Sequence, residues 1–240
     1  MKRIFAVFAL LASSLLAKAG TPDVSFDGSV TASTTYIWRG TQICGLHFVP
    51  RVALHAGGFS IEEASFLSYD GAYKEVDWDL AYSIGDFTFH LFDYYWHDNT
   101  SGVTENCFSW KKGETHHIDE ASLMYRSSGI PLKASWFTYL WGDWLPKADG
   151  TQGRVSFSSY LEIGTWKEFG NFGKGSVDLG FSVFKGPYTD HKKDFAPLLA
   201  MFRYGKSFDF DRFSIPVEMK YVINLYRKTA FSGVSIGLAF

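Results

Sequence analysis

Glu75, Asp77 and Asp79 occupy every second position of the segment EVDWDLAYSI. On an extended chain that spacing puts all three carboxylates on one face, with Val76, Trp78, Leu80, Tyr82 and Ile84 on the other. A row of carboxylates can neutralise facing cations, line a water path or orient a passing solute. The same alternation selects Arg39, Arg51, Arg126, Arg154, Arg203 and Lys220 as basic partners of that face, and Glu120, Glu162, Asp178 and Glu218 as acidic ones. Two arrangements are open. The charges pair into a salt-bridged interior, each ion offsetting another that burial would penalise, or they separate into basic and acidic walls across a constriction. Met124, Tyr160 and Met201 fall on the same face and favour a narrow bore.

Other chemistry-bearing groups are sparser. His116, His117, Asp119 and Glu120 are clustered, with His97 and Asp98 ending a neighbouring segment. Adjacent histidines on a strand point apart, so no metal is expected, and no other cofactor is called for. A hydrolytic reading needs a nucleophile beside a base and an orienting group. His117 and Asp119 share a face, but no serine joins them; Ser135 lies with Lys133 elsewhere. The chain is therefore not expected to be an enzyme, although an acyl hydrolase or transferase of membrane lipid is the catalytic alternative. Cys44 and Cys107 both fall in predicted loops on one side, where an oxidising compartment would permit a disulfide.

The elements that hold these residues are strands. Phe26, Val30, Ala32, Tyr36 and Trp38 alternate with polar positions over residues 24–38; Leu46, Phe48, Val52 and Leu54 alternate with His47, Arg51 and His55. SVDLGFSVF and GVSIGLAF repeat the pattern, and no long helical stripe follows residue 19. Less regular segments bring the expected count to about twelve strands, each roughly 9–12 residues long, enough for a tilted strand to cross a bilayer. The links alternate in length. Those at 57–58, 85–86 and 127–131 are tight, those at 97–114, 142–153 and 185–194 are long and polar, and 165–174 is long for the short side.

Residues 1–19 read as a cleaved signal peptide, with Met1-Lys2-Arg3, an apolar run and Ala17-Lys18-Ala19. The remaining 20–240 forms one domain with 20 basic against 25 acidic residues, a mild acidity that argues against nucleic acid. Aromatics make up 18% of the chain, yet mean hydropathy is only −0.06. Aromatic-rich but neutral chains alternate their two kinds of residue. A soluble sandwich or barrel would turn the apolar faces inward. Aromatics placed as an interfacial girdle (Tyr36, Trp38, Trp78, Tyr82, Trp136, Trp141 and Phe240) favour lipid outside instead. A sheet in lipid must close, so the first strand is expected to pair with the last. The expected fold is all-β, a transmembrane antiparallel up-and-down barrel.

The segments TYIWRG, LAYSIGDFTFHLFDYYW and FSIPVEMKYVINL, with the closing SIGLAF, resemble the TorF-like putative porins. That resemblance implies a small barrel of the Gram-negative outer membrane and carries over no catalytic residues. A terminal Phe on an alternating strand, here Phe240, resembles the signal read by the barrel-assembly machinery. The expected function is a narrow channel for passive diffusion of small polar solutes or ions, with outer-membrane lipid as its surroundings. The alternative is a structural or adhesive barrel with a closed, salt-bridged lumen, whose loop residues Trp110, Trp141 and Trp144 supply outside contacts.

Overall fold

A computed structural model describes residues 23–97, 106–112, 115–147 and 149–240. The signal-peptide reading, and Asp98 of the histidine-rich cluster, lie outside the described residues.

The strands in chain order are β1 Val24–Ser33, β2 Tyr36–Trp38, β3 Thr41–Cys44, β4 His47–Ala56, β5 Phe59–Ser68, β6 Lys74–Ile84, β7 Phe87–His97, β8 His117–Arg126, β9 Leu132–Trp141, β10 Trp144–Pro146, β11 Gln152–Val155, β12 Ser159–Glu168, β13 Lys174–Ser182, β14 Ala196–Asp209, β15 Ser214–Asn224 and β16 Thr229–Ala239. Twelve of them close one antiparallel barrel in the order β1-β16-β15-β14-β13-β12-β9-β8-β7-β6-β5-β4. Closure joins β1 to β16, from Ser29 opposite Ala239 to Ser33 opposite Ser235. No sheet edge is left for lipid to leave unsatisfied. The pairs β2-β3 and β10-β11 are separate two-stranded hairpins.

Period-2 alternation decides which side is wet. On β6, Trp78 is exposed on the outside while Glu75 is buried. Val52 and Leu54 on β4, Phe87 and Phe89 on β7, Val177 and Leu179 on β13, and Val234, Ile236 and Leu238 on β16 are all exposed large apolar side chains. In water, an apolar girdle running round the whole barrel would be an aggregation surface; in a bilayer it is the lipid contact. Asp178, at 0% exposure between exposed neighbours Val177 and Leu179, gives the interior its opposite character.

The links at 57–58, 85–86, 127–131, 169–173 and 210–213 lie on the side of both described ends. The link expected over 165–174 shrinks to five residues because β12 runs on to Glu168. Short turns on the terminal side and longer connections on the other are the habit of barrels in bacterial outer membranes.

Candidate functional site

The interior is built from three layers. The first is a hairpin that the alternation pattern conceals. β1 stops at Ser33, whose hydroxyl donates to the Thr35 carbonyl, and the chain turns back through β2 and β3 into the barrel. Arg39 and Gly40 form its tip with φ of 46° and 85°, left-handed geometry that glycine adopts freely and arginine at a cost. The tip is fixed from three directions. Arg39 donates two hydrogen bonds to Glu120 on β8, at 2.7 and 2.6 Å, and a third to the Tyr188 hydroxyl; Asn224 on β15 donates to the Gly40 carbonyl at 2.9 Å.

The Arg39–Glu120 pair is almost fully enclosed, with side-chain exposures of 7% and 1%. Burial disfavours the arginine charge, and the facing Glu120 carboxylate opposes that penalty through its charge and its two hydrogen bonds. Aromatic faces complete the enclosure: the guanidinium carbon lies 4.4 Å from the Phe137 ring centre, 4.6 Å from Trp38 and 4.8 Å from Tyr160. The 3-10 turn Pro187–Thr189 brings Tyr188 onto the same cluster, and Tyr139, Leu198, Leu199 and Val222 fill the space behind it. This is the constriction.

Two expectations about the first segment are therefore corrected. Tyr36 and Trp38 are not girdle residues. Tyr36 stacks on Phe66 inside the barrel, with ring centres 4.5 Å apart, and Trp38 lies against Tyr139 and Tyr94. The barrel strand ends at Ser33 and the chain turns at Thr34-Thr35, so that the aromatic pair is packed by folding inward.

The second layer is the charged wall beneath. Glu75, Asp77 and Asp79 share the inner face of β6, and Glu62 joins them opposite Asp79 on β5. Arg51 on β4 pairs with Glu62, and His90 on β7 with Asp79 at 2.8 Å. On another arc, Arg126, Lys133, Lys174, Arg203 and Glu218 line a cavity of about 220 Å³ with Trp166. Here Asp178 binds Lys133 at 2.5 Å and Arg203 at 2.7 Å, and Lys133 also reaches Glu162 at 4.0 Å. Lys220 sits opposite Arg203 on β15. β6 and β14 stand six strands apart whichever way the barrel is followed, so the acidic run and Arg203 face each other across the bore. The charges are locally paired and also segregated by wall.

The third layer is the terminal-side mouth. A cavity of about 580 Å³ there is lined by Asp27, Arg51, Asp209 and Arg212, with the backbone around Gly28 and Phe240.

The remaining site residues are placed as follows. Arg154 is not in the lumen: it is exposed on β11, in a hairpin of the long link between β9 and β12. Trp141 does reach the outer side, because an irregularity between Asp119 and Glu120 shifts its register, and it packs edge-on against Trp144 at 4.6 Å. Trp78 and Trp136 are on the outer wall but fifth in strands of 11 and 10 residues, so they meet acyl chains rather than the membrane rim. Tyr82 and Phe240 lie near strand ends, and the Phe240 ring covers Gly28, where a Cβ would come within 2.5 Å of it.

The proposed disulfide is also corrected. Cys44 and Cys107 are free thiols. The barrel wall separates them: Cys44 is on the hairpin folded inside, opposite Tyr36, whereas the Cys107 carbonyl accepts from His117 on the outer wall. Burial, then Asp70 and Glu75, push the Cys44 thiol above its ordinary pKa. His117 and Asp119 do share that outer face, where His117 bonds Asp93 at 2.7 Å beneath the Trp110 ring. The sequence pattern did not mark Asp93, Tyr94, Trp96 or Tyr188 as site residues.

No family model matches the sequence, and no curated protein matches it. Solved structures similar to the chain include the KdgM porin, 8% identical, covering 89% of this chain and 98% of that one with a TM-score of 0.47. The NanC porin is 11% identical, covering 90% and 99%, with a TM-score of 0.46. The toluene transporter TodX of P. putida is 9% identical, covering 93% and 90%, with a TM-score of 0.42.

Proposed function

We propose that the protein is a narrow channel of the bacterial outer membrane, through which small polar solutes or ions diffuse passively. The observation that carries this reading is the bore itself: charged side chains on opposed inner walls, acidic on β5 and β6 and basic around β14, with cavities on both sides of the hairpin constriction. Opposed walls create a transverse field that turns dipolar solutes as they pass and sets ion preference. The resemblance to TorF-like porins supports the same assignment. The surrounding partner is outer-membrane lipid, and assembly would proceed through the C-terminal strand ending at Phe240.

One observation favours the alternative of a structural barrel with a closed lumen: the Arg39–Glu120 cluster is packed to near-complete burial. Planar-bilayer recording separates the two. A channel gives discrete current steps, and Lys220→Glu shifts its reversal potential toward cation preference in a salt gradient. Silent bilayers containing folded protein would select the structural barrel.

A further inference from the structure

On the long-link side of the constriction, the inward hairpin leaves a cavity of about 330 Å³ between itself and the wall formed by β6, β7 and β8. Six aromatic side chains line it: Tyr36, Trp38, Tyr73, Tyr94, Trp96 and Tyr139. Its one charged lining residue is Glu75, buried at 6% exposure, opposite Trp96 in register. Asp77 follows on the same face, opposite Tyr94, and its Oδ1 is buried without a hydrogen-bond partner.

The charge balance of this chamber is unusual within the lumen. Glu62, Asp79, Glu120 and Asp178 each have a basic partner. Among the described residues neither Glu75 nor Asp77 forms an ion pair; Glu75 accepts from the Tyr73 and Tyr36 hydroxyls and shares a hydrogen bond with Asp77. The bases on nearby elements are engaged elsewhere, Arg39 with Glu120 and His47 with the Gly45 carbonyl at 3.0 Å. Buried carboxylates without a counter-charge are costly, and a bound cation removes that cost. Aromatic faces add attraction for a cation that sheds its water easily, which favours an alkylammonium over a metal ion. A cavity of this size, largely apolar with one acidic group in its lining, fits a small organic molecule.

We propose that this chamber is a binding site for a small organic cation of the alkylammonium class, held by Glu75 within the aromatic box, with Asp77 hydrogen-bonded to Glu75 just outside the lining. Binding is a property of the folded lumen and stands whether or not the channel conducts, so its failure and that of the channel reading are distinguishable.

The test is calorimetric titration of the full-length folded protein in detergent micelles with choline and with its neutral carbon isostere, 3,3-dimethylbutan-1-ol. Choline is expected to bind saturably at one site per chain and at least tenfold more tightly than the isostere. Glu75→Gln and Asp77→Asn, each verified as folded by its heat-modifiable gel mobility, are expected to weaken choline at least tenfold and leave the isostere unchanged. Glu62→Gln, an acid of the same bore outside the chamber, is expected to bind as the parent does. The proposal is overturned if choline does not saturate, if the isostere binds equally well, or if the Glu75→Gln, Asp77→Asn double variant keeps the parent affinity.

Discussion

Replacing Arg39 by Met removes the charge that neutralises Glu120 while keeping most of the side-chain volume. Glu120 is 1% exposed, so solvent gives it little screening, and stripping one partner from a buried ion pair costs about 3–5 kcal/mol. The loss falls on the whole barrel, not on the hairpin alone, because Glu120 belongs to β8 and pairs in register with Phe92 and Tyr139. Cation–π contacts with Phe137, Trp38 and Tyr160 disappear at the same time. Adding Glu120→Gln to the Arg39→Met variant removes the orphaned charge, and the double variant is expected to recover about 2–3 kcal/mol of the loss. Reversible urea unfolding in lipid vesicles, followed by tryptophan fluorescence, measures both. The same single variant should raise unitary conductance, since the tip loses its anchor on β8. An Arg39→Met barrel within about 1 kcal/mol of the parent, or a double variant as unstable as the single one, would refute the reasoning that this pair holds the constriction.

Further expectations test the other layers. Trp78→Arg places a charge on the lipid face and should cost about 2–4 kcal/mol in the same unfolding assay, whereas Asp79→Asn, one residue away on the wet face, should cost less. A membrane-impermeant charged maleimide should label Cys107, which is exposed, well before Cys44, which is partly buried with a raised thiol pKa; peptide mapping without reductant should find both thiols unbonded. Deleting Phe240 should lower the yield of heat-modifiable barrel in outer-membrane fractions, because the ring covers Gly28 at the closing seam; an unchanged yield would remove Phe240 from the assembly reading.

The barrel was legible because lipid outside and water inside force the strictest two-residue alternation a sequence can carry. Glu75 to Ile84 shows it at every position, and the register of β6 with β5 and β7 follows. The same regularity misleads at Tyr36, Trp38 and Arg39. Alternation continues past Thr34 and Thr35 into a hairpin folded inside the barrel, and period alone does not separate a strand facing lipid from one packed in a lumen. The available signal was length: fifteen alternating residues exceed the roughly 9–11 needed for one crossing, and a flexible Gly40 follows directly. Arg154 was misplaced for a related reason, since the β10-β11 hairpin outside the barrel carries its own alternation. Tyr188 and Trp96 could not be singled out at all. Their roles come from long-range contact with Arg39 and Glu75, which no local pattern encodes.

In a channel of this build the acidic face of β6 lines a conducting bore while its neighbours touch lipid. That arrangement is tested most directly by recording single-channel current from Asp79→Cys and Trp78→Cys proteins, with Cys44 and Cys107 replaced by Ser, before and after a positively charged methanethiosulfonate reagent. A step change in current is expected for Asp79→Cys and none for Trp78→Cys. No current from the folded parent, or the same response at both positions, would contradict it.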